Sequence, residues 1–136
     1  MTQPKRPAAI ITAASRGMGA ACARLLSARG YDLVLLARSA DVNELASELG
    51  AVAVQGDVAV VDDLRKVVGV AMERFGRIDG VVNNAGHAAK GDLLALTDDE
   101  WRSGLDLLFL NIVRMARLAT PVMLRQKKGA FVNISS

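Results

Sequence analysis

Five short apolar runs, set apart by stretches with helical patterning, constrain this 136-residue chain more than any other feature. Ala8-Ala9-Ile10-Ile11-Thr12-Ala13 is the first run, and a helix pattern follows from Met18 to Arg29, closed by Gly30. Asp32 to Ala37 is the second; its leucine-rich, non-alternating makeup suits a strand buried on both faces. Asp41 to Leu49 reads as a helix ended by Gly50, Ala51 to Gln55 as a third strand, and Val60 to Phe75 as a helix stopped by Gly76. Ile78 to Asn83 makes a fourth strand. The acidic run Asp98-Asp99-Glu100 then suits the positive N-terminal end of a helix reaching to about Lys128, with a kink expected at Pro121. Gly129 ends it, and Ala130 to Ile134 is the fifth strand. Strand and helix alternating in this way imply a parallel sheet with right-handed crossovers and helices on both faces. The expected fold is a doubly wound α/β domain, one unit spanning 1–136.

Composition narrows the function classes. The 17 basic and 14 acidic residues are scattered, so the net charge of +3 forms no block that would mark a nucleic-acid surface. Lys5-Arg6 reads as a solvated N-terminal tail. One cysteine, Cys22, cannot form an internal disulfide and sits among alanines as a small buried thiol would. No apolar stretch is read as approaching the ~20 residues that span a bilayer, and no signal peptide is read at the N-terminus. A cytoplasmic protein without membrane or nucleic-acid partners is expected. No His/Cys cluster suggests a metal, and His87 reads as a loop residue.

The turn after the first strand, Thr12-Ala13-Ala14-Ser15-Arg16-Gly17-Met18-Gly19, carries the chemistry. Gly17 and Gly19 let backbone approach a ligand closely. The helix N-terminus behind them offers free N–H groups and a partial positive charge to phosphate. A Gly-x-x-x-x-Gly-Lys-Ser/Thr loop is absent, which disfavours an ATPase or GTPase.

These residues resemble the glycine motif of the short-chain dehydrogenase/reductases, Thr-Gly-x-x-x-Gly-x-Gly, with Ala13 in place of the first glycine. Its methyl group is accommodated if φ there is negative. Asp57-Val58 after the third strand, Asn83-Asn84-Ala85-Gly86 after the fourth and Asn133-Ile134-Ser135-Ser136 at the end of the fifth match further motifs of the family in the same order. The resemblance covers the chain after a short tail and implies a Rossmann-type fold. It also implies a cofactor site made by Thr12, Ala14, Ser15, Arg16, Gly17, Met18 and Gly19 with Arg38, Ser39, Asp57, Val58, Asn84, Ala85 and Gly86. Asp57 would accept from the adenine amine, with Asn84 to Gly86 against the adenosine.

Dinucleotide domains that take NAD place an acid after the second strand, on the ribose 2′-hydroxyl. Here Ala37, Arg38 and Ser39 stand there. A guanidinium grips a 2′-phosphate bidentately, whereas a carboxylate would repel it. Arg16 would approach the same phosphate from the glycine turn. NADP(H) is therefore favoured over NAD(H); the plainer reading is two solvated surface arginines.

For catalysis the resemblance implies a Tyr-x-x-x-Lys pair, a serine and often an asparagine. Ser136 matches the serine. Tyr31, the single tyrosine, has Leu35 four positions on and precedes the second strand, so it is no proton donor. Aligning Trp101 and Pro121 to the family pattern without gaps puts Leu108 at the asparagine position, with Asn111 three residues later. The expectation is an N-terminal part of a longer protein, lacking the end of the fold, with an exposed fifth strand and poor solubility when isolated. The whole protein would interconvert an alcohol and a carbonyl on a small substrate. It would assemble as a homo-oligomer, with an apolar face of Leu105, Ile112, Ala116 and Ala119 as part of an interface or of the core. Two other readings stay open. One is a dinucleotide-binding remnant that does no chemistry. The other is an S-adenosylmethionine-dependent methyltransferase, for which Asn83-Asn84-Ala85-Gly86 and Arg38 have no explanation.

Overall fold

A computed structural model describes residues 4–135. The strands are β1 (Ala8–Thr12), β2 (Asp32–Ala37), β3 (Val52–Gln55), β4 (Gly80–Asn83) and β5 (Ala130–Asn133). The helices are α1 (Gly17–Ala28), α2 (Asp41–Leu49), α3 (Val61–Phe75), α4 (Asp98–Leu105) and α5 (Asn111–Gln126). All strand pairs are parallel, in the order β3-β2-β1-β4-β5. This is the Rossmann-type doubly wound sheet that the alternation implied.

Period-two alternation sends the side chains of β1 to opposite faces. Ile10 joins a core with Val34, Leu36, Leu64, Val67, Met115 and Ala119, beneath α3 and α5. Ala9 and Ile11 join the other core, with Leu33, Leu35, Val42, Leu45 and Ala23, beneath α1 and α2. Every residue of β1 is buried, and β2 is buried from Leu33 onward, as central strands covered on both faces must be. β3 and β5 are the outer strands, and Val132 on β5 is half exposed.

The long C-terminal helix departs from expectation. It runs through Pro121 in α geometry, and the irregularity falls instead at Asp106–Leu110, a single π-helical segment between α4 and α5. Asn111 is buried there, and its Nδ2 donates to the Leu107 carbonyl. Asp106 at the start of the segment pairs with Arg114 at 2.7 Å. The π turn also divides the apolar face read from the sequence. Leu105 is exposed, whereas Ala119 is fully buried in the core beneath α5. Asp98–Gln126 as a whole is long and apolar enough to cross a membrane by length and composition, with a mean hydropathy of 1.5 over its most apolar window. That corrects the reading that no stretch approaches spanning length. Met115, Ala119, Val122 and Met123 of this helix nevertheless pack on the sheet with α3, as in the core helix of a globular fold.

Lys5-Arg6 is also more than a solvated tail. Arg6 donates to the carbonyls of Gly30 (2.8 Å) and Tyr31 (3.2 Å) and pairs with Asp32 at 3.4 Å, tying the N-terminal segment to the α1–β2 turn. Cys22 is only partly buried, at the margin of the core under α1.

Candidate functional site

The strand order reverses between β1 and β4, and ligands of open α/β sheets bind in the crevice outside the carboxyl ends of the strands at such a point. The glycine turn sits there. Thr12, buried at the end of β1, donates from its hydroxyl to the Asn84 carbonyl (2.6 Å) and accepts from the Asn84 N–H (2.9 Å). Asn84 Nδ2 in turn donates to the Ala13 carbonyl at 3.3 Å. These bonds fix the turn after β1 to the loop after β4.

Ala13 adopts φ of 48°, the left-handed region. The sequence reading required a negative φ for its methyl group, and the structure overturns that. The residue stands where the family motif has glycine because the turn needs a conformation that costs an L-residue roughly 1–2 kcal/mol. Ala13→Gly is therefore expected to raise stability by about 0.5–1 kcal/mol, after the larger unfolded-state entropy of glycine is set against the relief. Thermal or urea unfolding of the two proteins measures it, and a variant less stable than the parent would contradict the account.

Gly17, with φ of 58°, opens α1, and a Cβ placed on it would meet nothing within 4 Å. Arg16 is the N-cap with no side-chain cap bond, so it leaves the first N–H groups of α1 without that partner, and the space at Gly17 is open. Gly19 lies deeper, against the backbone of Ala13 and Ala14. Among the residues assigned to the cofactor, two have other employment. The Ala14 N–H donates to the Leu36 carbonyl at 3.1 Å and its side chain is fully buried. The Val58 side chain belongs to the core under α3. Ser15 is partly buried, Met18 is exposed, and Ala85 packs partly against the core.

Arg38 follows β2 directly and is exposed, its guanidinium close to Gly86: a Cβ there would lie 3.8 Å from Nη2. Its carbonyl accepts from Gln55 Nε2 at 2.9 Å. Among the described residues no carboxylate pairs with Arg38, while Arg16 pairs with Asp41 at 2.9 Å. Ser39 Oγ accepts from the Asp41 N–H at 3.3 Å, ordering the turn into α2. Asp57 Oδ1 accepts from the Ala59 N–H at 2.8 Å, and the Asp57 N–H is held by Asp63 at 2.8 Å.

Arg38, Asp57 and the exposed His87 line an open cleft of about 430 Å³ with Asp99, Ser103 and Leu107. The last three come from α4 and the π turn, and the sequence reading missed them, because nothing local says that this helix crosses the mouth of the site. Glu100, at the same rim, is held below the usual carboxylate range by hydrogen bonds from the Thr97 backbone and hydroxyl. Asn111 does not reach this cleft chemistry; its amide is spent on the carbonyl that the π turn frees. Ser136, the catalytic serine of the sequence reading, lies outside the described residues.

The first turn of α1, Arg38 with no carboxylate partner among the described residues, and the Asp57 carboxylate offer an anion site, a cation and an acceptor along one end of the sheet. A family model described as short chain dehydrogenase matches residues 7–136. A 3-oxoacyl-[acyl-carrier-protein] reductase from Synechocystis is 34% identical over the whole chain, which spans 58% of that relative. Two solved structures are also similar. The L-sorbose reductase of Gluconobacter frateurii, complexed with NADPH and L-sorbose, is 30% identical with a TM-score of 0.86, over 95% of this chain and 52% of its own. An actinorhodin polyketide ketoreductase variant with NADPH is 28% identical with a TM-score of 0.91, over all of this chain and 55% of its own. The chain thus spans little more than half the length of these relatives. Sequence motifs, sheet order and crevice agree with the match across all but the first residues: the chain belongs to the short chain dehydrogenase family.

Proposed function

We propose that the protein of which this chain is part is an NADP(H)-dependent oxidoreductase that interconverts an alcohol and a carbonyl. The observation that carries the cofactor half is the pair of arginines at the carboxyl ends of β1 and β2, Arg16 and Arg38, with no acid at the position after β2. Bound there, the nicotinamide cofactor supplies or accepts the hydride. This chain's residues bind and orient it: the first turn of α1 holds the pyrophosphate, Arg38 and Arg16 hold the 2′-phosphate, and Asp57 accepts from the adenine amine. Ser39 adds a hydroxyl beside the phosphate, and Asn84 to Gly86 form the wall on the adenosine side. Ser136 is the residue whose hydroxyl would hold the substrate oxygen. NADPH complexes and ketoacyl reductases among the relatives support this reading.

Fluorescence titration with NADPH and NADH tests it. The parent protein is expected to bind NADPH more tightly. Arg38→Asp, which replaces a phosphate-gripping fork with a repelling carboxylate, should weaken NADPH at least tenfold, equivalent to about 1.4 kcal/mol. The same variant should leave NADH as tight or tighter. Equal affinity of the parent for both nucleotides would reject the NADP assignment.

A further inference from the structure

The two arginines do not stand in the same state. Arg38 carries an unpaired guanidinium among the described residues, whereas Arg16 is already engaged, Nη2 to Asp41 Oδ2 at 2.9 Å. The pair joins the N-cap of α1 to the first residue of α2, so it bridges the two βα turns on either side of the ribose position. Both partners are well exposed, 78% and 55% at the side chain, so the pair opens at little cost. The backbone of Asp41 is tied to the turn after β2, its N–H donating to Ser39 Oγ at 3.3 Å, so its carboxylate stays tethered beside that turn when Arg16 leaves it.

We propose that Asp41 is a specificity-determining residue that holds Arg16 as a stand-in for the 2′-phosphate and sets how strongly NADP(H) is preferred. This rests on the NADP(H) reading above. A 2′-phosphate carries nearly two charges and three acceptor oxygens, so it displaces one carboxylate from Arg16. The displaced Asp41 then remains within a Debye length of the phosphate and repels it. NADH lacks that phosphate and leaves the Arg16–Asp41 pair closed. The carboxylate therefore lowers NADP(H) affinity while leaving NAD(H) nearly untouched, which holds the preference below what two free arginines would give. The charged groups set around Asp41 are Arg16, the N-cap of α1, which pairs with it, and Glu44 on its own first turn, which repels it; neutralising Asp41 frees Arg16 for the phosphate.

The test is fluorescence titration of NADPH and NADH on the full-length protein of which this chain is part, comparing the parent with Asp41→Asn. The substitution should tighten NADPH about fivefold, the scale of one exposed ion pair, and change NADH less than twofold. Asp41→Ser, which keeps a polar first turn on α2, should do the same and covers any misfolding of the amide variant. In an Arg16→Gln background the gain should vanish. NADPH binding that is unchanged or weaker in both neutral variants would overturn the proposal and show that Asp41 positions Arg16 instead. An equal gain for both nucleotides, or a gain that survives Arg16→Gln, would also overturn it. A parent that shows no preference for NADPH fails the underlying assignment; a parent that prefers it, with flat variants, fails only the role of Asp41.

Discussion

Replacing Gly19 by alanine is expected to lower stability by about 3 kcal/mol, at the upper end for overpacking, and to weaken dinucleotide binding more than tenfold. A Cβ at this position would fall far inside contact distance of the Ala13 carbonyl oxygen and 2.9 Å from both Ala14 Cα and Asn84 Nδ2. Two of those neighbours are backbone atoms of a turn that is itself pinned by Thr12 and Asn84. Neither can swing aside as a flexible side-chain tip would. Relief therefore requires α1 to lift from the sheet, opening the core around Ala23 and Ile11 and moving the N–H groups that face the phosphate. A melting temperature lowered by on the order of 10 °C would match this magnitude. A variant that melts with the parent would show that the turn yields more easily than its hydrogen bonds imply. Gly17→Ala differs in kind: it has open space but a left-handed φ, so its cost is conformational and smaller.

The second large effect lies at the opposite end of the sheet. Asp79, whose side chain is 5% exposed, takes a fork from Arg77, with Nε at 2.6 Å and Nη2 at 2.7 Å, and a bond from the Ala8 N–H at 2.9 Å. Its own N–H donates to the Ala8 carbonyl, and its carbonyl accepts from Ala130. One residue thus joins the starts of β1, β4 and β5. The guanidinium fork holds its carboxyl below the usual aspartate range, with the Ala8 N–H adding to it against the opposing effect of burial. Asp79→Asn keeps the shape but loses the charge and sets an amide N–H against Arg77, which should cost about 2 kcal/mol at neutral pH. A depressed folded pKa means that the stabilisation is complete above the unfolded value, near 3.9, and disappears as pH falls through the lower folded value. Urea unfolding at pH 7 should therefore separate the two proteins, and the gap should close as pH is taken from about 5 toward 2. A gap constant with pH would exclude the ionised pair as its source.

The sheet was legible because its evidence is local. Apolar runs of four to six residues, the first four each followed by a helix pattern and a stopping glycine, leave few alternatives to a parallel α/β arrangement. Boundaries moved by only a residue or two, as where the fourth strand begins at Gly80 and not at Ile78. What the sequence could not convey depends on contacts far along the chain. The φ of Ala13 is imposed by the bonds from Asn84, some 70 positions later. Arg6 looked solvated because its partners, the carbonyls of Gly30 and Tyr31, have no signature in sequence. The motif does not convey that the Ala14 N–H feeds β2 or that the Val58 side chain fills the core, which leaves only their remaining backbone groups for a ligand. In the sequence Asp41 carries no signal beyond that of an acid at a helix start, which the helix dipole already explains.

The π turn at Asp106–Leu110 changes the phase of the helix that carries it. Each α-helical residue advances the azimuth by about 100°, and one widened turn absorbs roughly one extra residue without lengthening either flanking loop. Residues on the two sides of it are therefore out of step. A gapless count from Trp101 on one side or Pro121 on the other sets Leu108 opposite the same family position, and that position falls inside the π segment itself. The segment works as a vernier: it lets α4 address the cleft while α5 keeps its own stripe on the sheet.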